Sequence, residues 1–573
     1  MEAGPRKISE IFNTGRELSI PFFQRGYVWE EEDWERFLDS MVDISENKKS
    51  NFFGSVILKK LNVSSDKIIG DCLSVIDGQQ RLTTFCLFFK ALYKVQNNPD
   101  DFYKTFFNRV HESILKHNCM DREIFNAIIY DNLTPELEHK YKKNNVLQAY
   151  KYFMEKEDVL KNINDYDILN NVQFVGIDLR ENEDEQQIFD TINSLGVRLT
   201  TAELLKNHLY PSVEDETLFN STWRERFEKD EEERNFWDAD ITTGREKRNN
   251  LDVLLQSYFI ILKKSSNKFK LKNLFQEYKA YLKENGITSD KSKKENFVSD
   301  LIRYASLYKE NIDSTLLDKE SETEIKTPLQ RLIIAIFSLD ITTMIPYVLY
   351  ILKNVSDLEE QDKMFTLLET YVIRCAICRV SFQSFNHLFS SIVNNEIKTA
   401  SELKDYLINR DADIKMPNDS EVMENFTCER KKHNVPTSIL YLLELAIRNA
   451  NKQNTKLLSI KNYDLEHIMP QKWEKNWPLP TNTDKSEDVL EDERNKKVAS
   501  IGNMTILKNG LNKSLKNKSW TDKKYGKNQD GLIKYGAGLE TFSQYIDLPE
   551  WDENAIDERA RFLLKKALEV WKI

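Results

Sequence analysis

The sequence predicts an α+β protein, mostly helical, on three observations. Runs of β-branched and aromatic residues short enough to be strands occur in residues 1–210 and again after about 435. Between them lie long stretches with apolar residues three and four positions apart, the period of helices with one buried face. Apolar residues make up 40% and aromatics 11% of 573 residues, with 16 Gly and 13 Pro, which supplies sizeable cores and excludes a disordered or fibrous chain. At roughly 150 residues per domain the length calls for more than one domain. The changes of texture divide the chain into an α/β part, 1–210, an all-helical part, 211–434, and a smaller mixed part, 435–573.

Taken in order, FFGSVILKK (52–60), LSVID (73–77) and VQFVGIDL (172–179) read as strands. LDVLLQSYFIILKK (251–264) and DKMFTLLETYVIRCAICRV (362–380) read as helices, and the charged stretches 263–272 and 290–296 as solvated helix ends and loops. Leu332 to Leu352 is apolar enough to tempt a membrane reading, but Asp340 lies near its middle and Pro346 follows. A central Asp costs about 2.5–3.5 kcal/mol on insertion, so two buried helical pieces are expected and no membrane partner. After 435 come a helix at 438–450, YDLEHIMP (463–470), an acidic loop near 484–493, SIGNMTIL (500–507) and a lysine-rich segment. There is no internal repeat.

The charge balance, 82 Lys and Arg against 93 Asp and Glu, leaves −11, so the molecule is no basic nucleic-acid coat and any nucleic-acid surface must be local. Six cysteines at 72, 86, 119, 375, 378 and 428 are too sparse for a disulfide framework. The opening MEAGPRKISE has no apolar core of a signal peptide. Both point to a cytoplasmic protein.

The most specific chemistry lies near the C-terminus. A strand ending at Glu466-His467 and stopped by Pro470, a second strand at 501–507, the turn Lys508-Asn509-Gly510 and a helix from about 513 make a ββα unit. Such a unit is the scaffold of HNH nucleases, in which the hairpin presents a His, the helix an Asn or His, and a divalent metal sits between them beside the scissile phosphate. The His must be neutral to take a proton from water, as an unperturbed pKa of about 6.5 permits. The metal withdraws charge from the phosphate and the leaving oxygen. Asn512 also fits an N-cap. Lys508 to Lys527 holds seven Lys against one Asp, a net +6 that reads as a phosphate track or as a solvated face. With no cysteine after Cys428 the unit has no zinc clip, and Trp473, Trp477 and Trp520 are the candidates to hold it by packing.

A second dense constellation is IPFFQRGYVWEEEDWERF (20–37) with VIDGQQRLTTF (75–85) and IFDTINSLGVRLTTAELLKNHL (188–209). Asp77-Gly78 is a tight turn after a strand, and Gln79, Gln80 and Arg81 open a helix with Thr83 and Thr84 on its first turns. Free N–H groups and a nearby Arg at a helix start favour phosphate, and Gly78 lets the backbone approach a ligand. An ordinary turn followed by an exposed helix explains the same residues. No G-x-x-x-x-G-K-S/T run is present, so a nucleotide site here is not a P-loop.

Residues 435–565 resemble the HNH, or His-metal finger, nucleases, particularly the nuclease half of the GmrSD type of modification-dependent (type IV) restriction enzymes. The resemblance implies that His467 is the general base, that Glu466 and Asn512 ligate a divalent metal (Mg²⁺ or Mn²⁺), that Asn503 steadies the loop of the hairpin, and that Lys523 contacts phosphate, with Lys516 and Lys524 on DNA. Residues 1–210 resemble the GmrS-type domain, which belongs with ParB/sulfiredoxin-like nucleotide-binding folds. Its motifs stand here as Gln24-Arg25-Gly26-Tyr27-Val28-Trp29, as Asp77 to Arg81, and as Ile192-Asn193 through Gly196 to Leu199, with Leu195 where an Arg often precedes the Gly. It implies binding and hydrolysis of a nucleoside triphosphate by Gln24, Arg25, Tyr27, Asp77, Gly78, Gln79, Gln80, Arg81 and Thr83.

The two resemblances in one chain imply a fused anti-phage endonuclease with three parts: a sensor, 1–210; a helical linker, 211–434; and a ββα-metal nuclease, 435–573. Its partners are DNA, modified phage DNA in particular, and nucleotide, and a homo-oligomer is compatible with it. A nucleotide-regulated DNA-binding scaffold and a nicking nuclease without modification dependence are the alternatives. Cys375-Ala-Ile-Cys378 is read as buried helix rather than a metal pair. His111, His117, His139, His208, His387 and His433 have no partner visible in sequence and are read as surface or capping residues.

Overall fold

The computed structural model describes residues 2–13, 15–22, 24–61, 71–179, 200–211, 213–243, 246–264, 273–321, 324–410, 414–428, 434–451, 456–481, 484–510, 517–526 and 530–573. They form two compact units, Met1–Trp223 and Arg224–Ile573. The expected motif from Ile192 to Leu199, Asn512, Lys516 and His433 lie outside the described residues.

The first unit is built on a six-stranded mixed sheet of β1 (Glu2–Lys7), β2 (Arg16–Ser19), β3 (Asn51–Lys60), β4 (Asp71–Asp77), β5 (Leu115–Lys116) and β6 (Val172–Leu179), in the order β1-β6-β3-β4-β2-β5. β3 runs parallel to β6 and antiparallel to β4, and β2 runs parallel to both β4 and β5. The three strands expected from sequence are β3, β4 and β6. β1 carries Pro5 and sits at an edge, where a missing N–H is tolerated.

Two helices fill the core beside this sheet. Glu31–Asn47 is amphipathic and buries Trp34, Phe37, Leu38, Met41 and Ile44, the stripe a 3.6-residue period predicts. Its first turn carries Glu31, Glu32 and Asp33, which complement the positive end of the helix dipole. Gln79–Val95 is buried on every side from Leu82 to Tyr93, so it forms the centre of the unit. Phe37 packs edge-on against Phe53, Phe85 and Phe88 at centroid distances of 6.0, 4.8 and 5.5 Å.

The described residues of the second unit are mainly helical, with two two-stranded ribbons among them, β7 (Asp240–Thr243) with β8 (Glu246–Asn249) and β9 (Tyr463–His467) with β10 (Met504–Lys508). Asn250–Lys263 and Leu358–Ile377 are the expected long helices. The apolar stretch breaks into Pro328–Ser338 and Ile345–Asn354, with Asp340 at φ 57° between them. Among the described residues no helix is long and apolar enough to cross a membrane. Cys375 is buried in its helix, and burial pushes its thiol up.

The stretch 484–493, expected as an acidic loop, instead enters the helix Glu487–Val498. Lys496 and Lys497 in its last turn complement the negative end of the helix dipole, as Glu487 and Asp488 in its first turn complement the positive end. The chain end is pinned inside the unit. Buried Arg374 donates to the carbonyl of Trp571 at 2.7 Å, while the Trp571 indole donates to Glu369 at 2.8 Å.

Candidate active site

β9 and β10 pair antiparallel with Met504 opposite His467 and Thr505 opposite Glu466. Neighbours on a strand point to opposite faces, so Glu466 goes inward, 4% exposed, and His467 to the other side, half-buried. The chain after His467 is held by Asn503, which ends the short 3-10 turn Ile501–Asn503 before β10. Its carbonyl accepts the Ile468 N–H at 2.9 Å, and its side chain bonds both the N–H and the carbonyl of Met469. Trp551, a residue that sequence reasoning missed, adds its indole N–H to Asn503 Oδ1 at 3.0 Å.

The hairpin is braced from below by the helix Glu553–Val570, whose fully buried Arg559 donates to the carbonyls of Gly502 and Met504, each at 2.7 Å. Burial lowers the pKa of this guanidinium to about 9. Trp473, Trp477 and Trp520 are buried as expected, each with its indole N–H satisfied, by Asn495 Oδ1 and by the carbonyls of Lys518 and Leu548.

Two of the expected DNA contacts are corrected by burial. Lys523 is 0% exposed and donates to Glu466 Oε1 at 2.5 Å and to the His467 carbonyl at 2.7 Å. Lys524 is buried too, with its ammonium 3.3 Å from the Leu548 carbonyl. The helix Trp520–Tyr525 turns these lysines inward, so neither ammonium faces a phosphate track. Burial raises the Glu466 carboxyl and Lys523 partly offsets it; burial lowers the Lys523 ammonium and Glu466 partly offsets that.

The donor types at this site, carboxylate, imidazole and carboxamide, suit a divalent metal. One Glu466 oxygen, Oε1, already accepts from Lys523, so a metal on that oxygen would compete with the ammonium. Among the described residues no three His, Cys, Asp or Glu side chains gather to hold a metal ion.

In the first unit, β4 ends at Asp77 and the chain turns through Gly78 at φ 100°, a conformation that strains any other residue. A Cβ there would meet Val56 at 3.0 Å, so the backbone geometry by itself already requires this glycine. Arg81 returns one turn later to Asp77 at 3.1 Å and to the Phe53 carbonyl at 3.0 Å. Ser55 donates to the same Asp77 oxygen. Gln80 clamps the Gln24–Trp29 loop, accepting from Val28 N–H and donating to the Gly26 carbonyl. Gln24 donates to the Val75 carbonyl at 2.9 Å, and Arg25 is exposed.

Tyr27 and Thr83 are corrected from ligand contacts to internal ones. Tyr27 is buried with its hydroxyl on Thr84 at 2.6 Å and on the Trp34 indole at 3.0 Å, and burial raises its pKa strongly. Thr83 Oγ1 donates to the Gln79 carbonyl at 2.7 Å and lies 3.0 Å from His117 Nε2. His117 is therefore neither a surface nor a capping residue but a buried one, 3% exposed.

The turn containing His117 is the part of the site with no signal in the sequence. Asn118 donates to the carbonyls of Gln24 and Arg25, and Asp121 accepts the Tyr27 N–H at 2.6 Å. Three residues of one turn thus hold the Gln24–Trp29 loop and the start of the Gln79–Val95 helix together.

Comparison with known families finds a match at each end of the chain. Residues 8–210 match the family described as GmrSD restriction endonuclease, N-terminal domain, and residues 416–566 match that described as GmrSD restriction endonucleases, C-terminal domain. No curated protein matches the chain. With one domain at each end of the sequence, the chain belongs to the GmrSD restriction endonucleases.

Proposed function

We propose that this restriction endonuclease cuts modified foreign DNA, phage DNA in particular, with residues 1–210 as a nucleotide-dependent sensor, 211–434 as a linker and 435–573 as an HNH nuclease. The observation that carries the reading is the placement of His467. It stands half-buried at the end of β9, on main chain that Asn503 fixes at the next two residues. A general base needs that combination of access to water and a fixed position. His467 takes the proton of a water molecule as its oxygen bonds to phosphorus and the bridging P–O bond breaks.

In the first unit, exposed Arg25 and half-buried Arg81 supply positive charge for a triphosphate. Gln24 and Gln79 each carry a buried amide oxygen without a hydrogen-bond partner among the described residues, an acceptor for a hydroxyl or amino group of a nucleotide. Hydrolysis there would be coupled to a nuclease that must spare host DNA.

The test is to incubate the purified full chain with matched modified and unmodified phage DNAs, Mg²⁺ or Mn²⁺, and each nucleoside triphosphate in turn, beside His467→Ala. Modified DNA should be cut by the wild type, with the variant about 10²–10⁴-fold slower and its DNA affinity retained. Undiminished cleavage by His467→Ala overturns the assignment.

A further inference from the structure

Lys523 and Glu466 are each under 5% exposed, and the ammonium spans a side chain and the main chain of two successive residues. A lysine this deep in the protein is tolerable only with its charge matched and its N–H groups bonded. Glu466 and the His467 carbonyl supply both. The contact also completes a series along the chain. Lys523 holds the carbonyl of His467, Asn503 O holds the N–H of Ile468, and the Asn503 amide holds both main-chain groups of Met469. Every peptide leaving His467 as far as Met469 is anchored to an element outside β9.

The short helix that carries Lys523 is itself fixed. Ser519 caps it through the Asp522 N–H, and the Trp520 indole bonds the Leu548 carbonyl at 3.1 Å. A divalent metal on Glu466 Oε1 would stand about 2.0–2.1 Å from that oxygen, where it would repel the ammonium already there. Displacing Lys523 would release the His467 carbonyl as well.

We infer that Lys523 and Glu466 are a positioning pair for His467, and that Glu466 serves the reaction through Lys523 rather than as a metal ligand. The inference rests on the nuclease reading of His467. The pair sets the peptide plane beyond His467 and hence the direction in which the imidazole leaves the strand. Misplacing a catalytic group by about 1 Å costs about 10²-fold in rate.

The experiment compares full-length wild type, Glu466→Gln, Lys523→Met, Lys523→Arg and the Glu466→Gln/Lys523→Met pair in three measurements: Mn²⁺ binding by calorimetry, kcat and KM for DNA cleavage, and urea unfolding. Glu466→Gln and the double variant should lose less than about 100-fold in Mn²⁺ affinity, since a ligand lost outright costs more than the roughly 10–100-fold of a residue behind it. Glu466→Gln and Lys523→Met should lose kcat with KM unchanged, and Lys523→Arg should keep part of it. The double variant, with no buried charge unpaired, should be more stable than either single one, which keeps the Mn²⁺ measurement open if a single variant fails to fold. A loss of Mn²⁺ affinity of more than about 100-fold in both Glu466→Gln and the double variant makes Glu466 a ligand and overturns the inference. A wild-type chain that neither binds Mn²⁺ nor cuts DNA overturns the nuclease reading itself, a result distinct from either.

Discussion

The side-chain amide of Asn503 closes a two-way clasp on the main chain of Met469, accepting its N–H at 2.8 Å and donating to its carbonyl at 2.7 Å. The same side chain donates to the Val498 carbonyl at 3.0 Å and accepts from Trp551, and it is fully buried. A carboxylate could only accept, and an alanine could do neither.

Asn503→Ala should therefore destabilise the second unit far more than an average substitution. It strands the Met469 N–H, the Met469 carbonyl and the Trp551 indole, and each stranded buried group costs about 1–3 kcal/mol. Urea unfolding followed by tryptophan fluorescence should show a loss of at least about 2 kcal/mol. A variant as stable as wild type would mean that water replaces the clasp.

Gly54 and Arg81 make a second dependence. Gly54 has φ 80°, and a Cβ on it would lie 2.1 Å from Arg81 Nη1. Gly54→Ala must strain the strand and push the guanidinium away from Asp77 and the Phe53 carbonyl. If Arg81 acts on nucleotide from its present position, Gly54→Ala and Arg81→Ala should share one phenotype, a fall in triphosphate hydrolysis of about 10²-fold. Phosphate release measured with each nucleotide checks it. Normal hydrolysis by Gly54→Ala would separate the position of Arg81 from the chemistry.

These dependences show which parts of the molecule were legible in the sequence. Strands β3, β4 and β6 were, because their apolar runs are bounded and long enough to show a period. β2, Arg16-Glu17-Leu18-Ser19, was not, since a short polar run becomes a strand only through pairing with β4 and β5. At the candidate site, Glu466, His467 and Asn503 were visible as a motif. Trp551 and Arg559, about 50 residues beyond Asn503, were not: their contacts are tertiary and leave no local pattern. In the lysine-rich segment net charge does not say which ammonium groups are buried, and Lys523 and Lys524 are. His117, Asn118 and Asp121 share no period with any helix or strand, so their joint hold on the Gln24–Trp29 loop appears only in three dimensions.

Burial also decides which lysines can serve DNA. Lys524→Gln should leave the salt dependence of DNA affinity unchanged and lower stability instead, since its ammonium serves the Leu548 carbonyl. Lys508 is exposed at the end of β10, and Lys508→Gln should flatten the slope by up to about 0.9 log unit if it neutralises a duplex phosphate. Affinities measured across a salt series for the two variants decide it. A flattened slope for Lys524→Gln alone would return the phosphate track to that helix.

The last prediction follows from His117. Thr83 Oγ1 spends its proton on the Gln79 carbonyl, so it accepts from His117 Nε2–H, and the imidazole is neutral with Nδ1 unprotonated. Nδ1 is buried without a hydrogen-bond partner among the described residues, 3.9 Å from an oxygen of Asp121. Burial lowers the pKa of this histidine, and the nearby Asp121 carboxylate offsets part of the shift. The unfolded chain takes up the proton near its ordinary value of about 6.5, whereas the folded chain does so only at lower pH. Between those two values the unfolded state binds more protons, so stability is full above about pH 6.5 and falls as the pH drops through that window. Urea midpoints of the full chain measured from about pH 7.5 to about pH 5.5 should fall for wild type and fall less for His117→Asn, which cannot charge. An identical decline in the two proteins would show that the proton enters elsewhere.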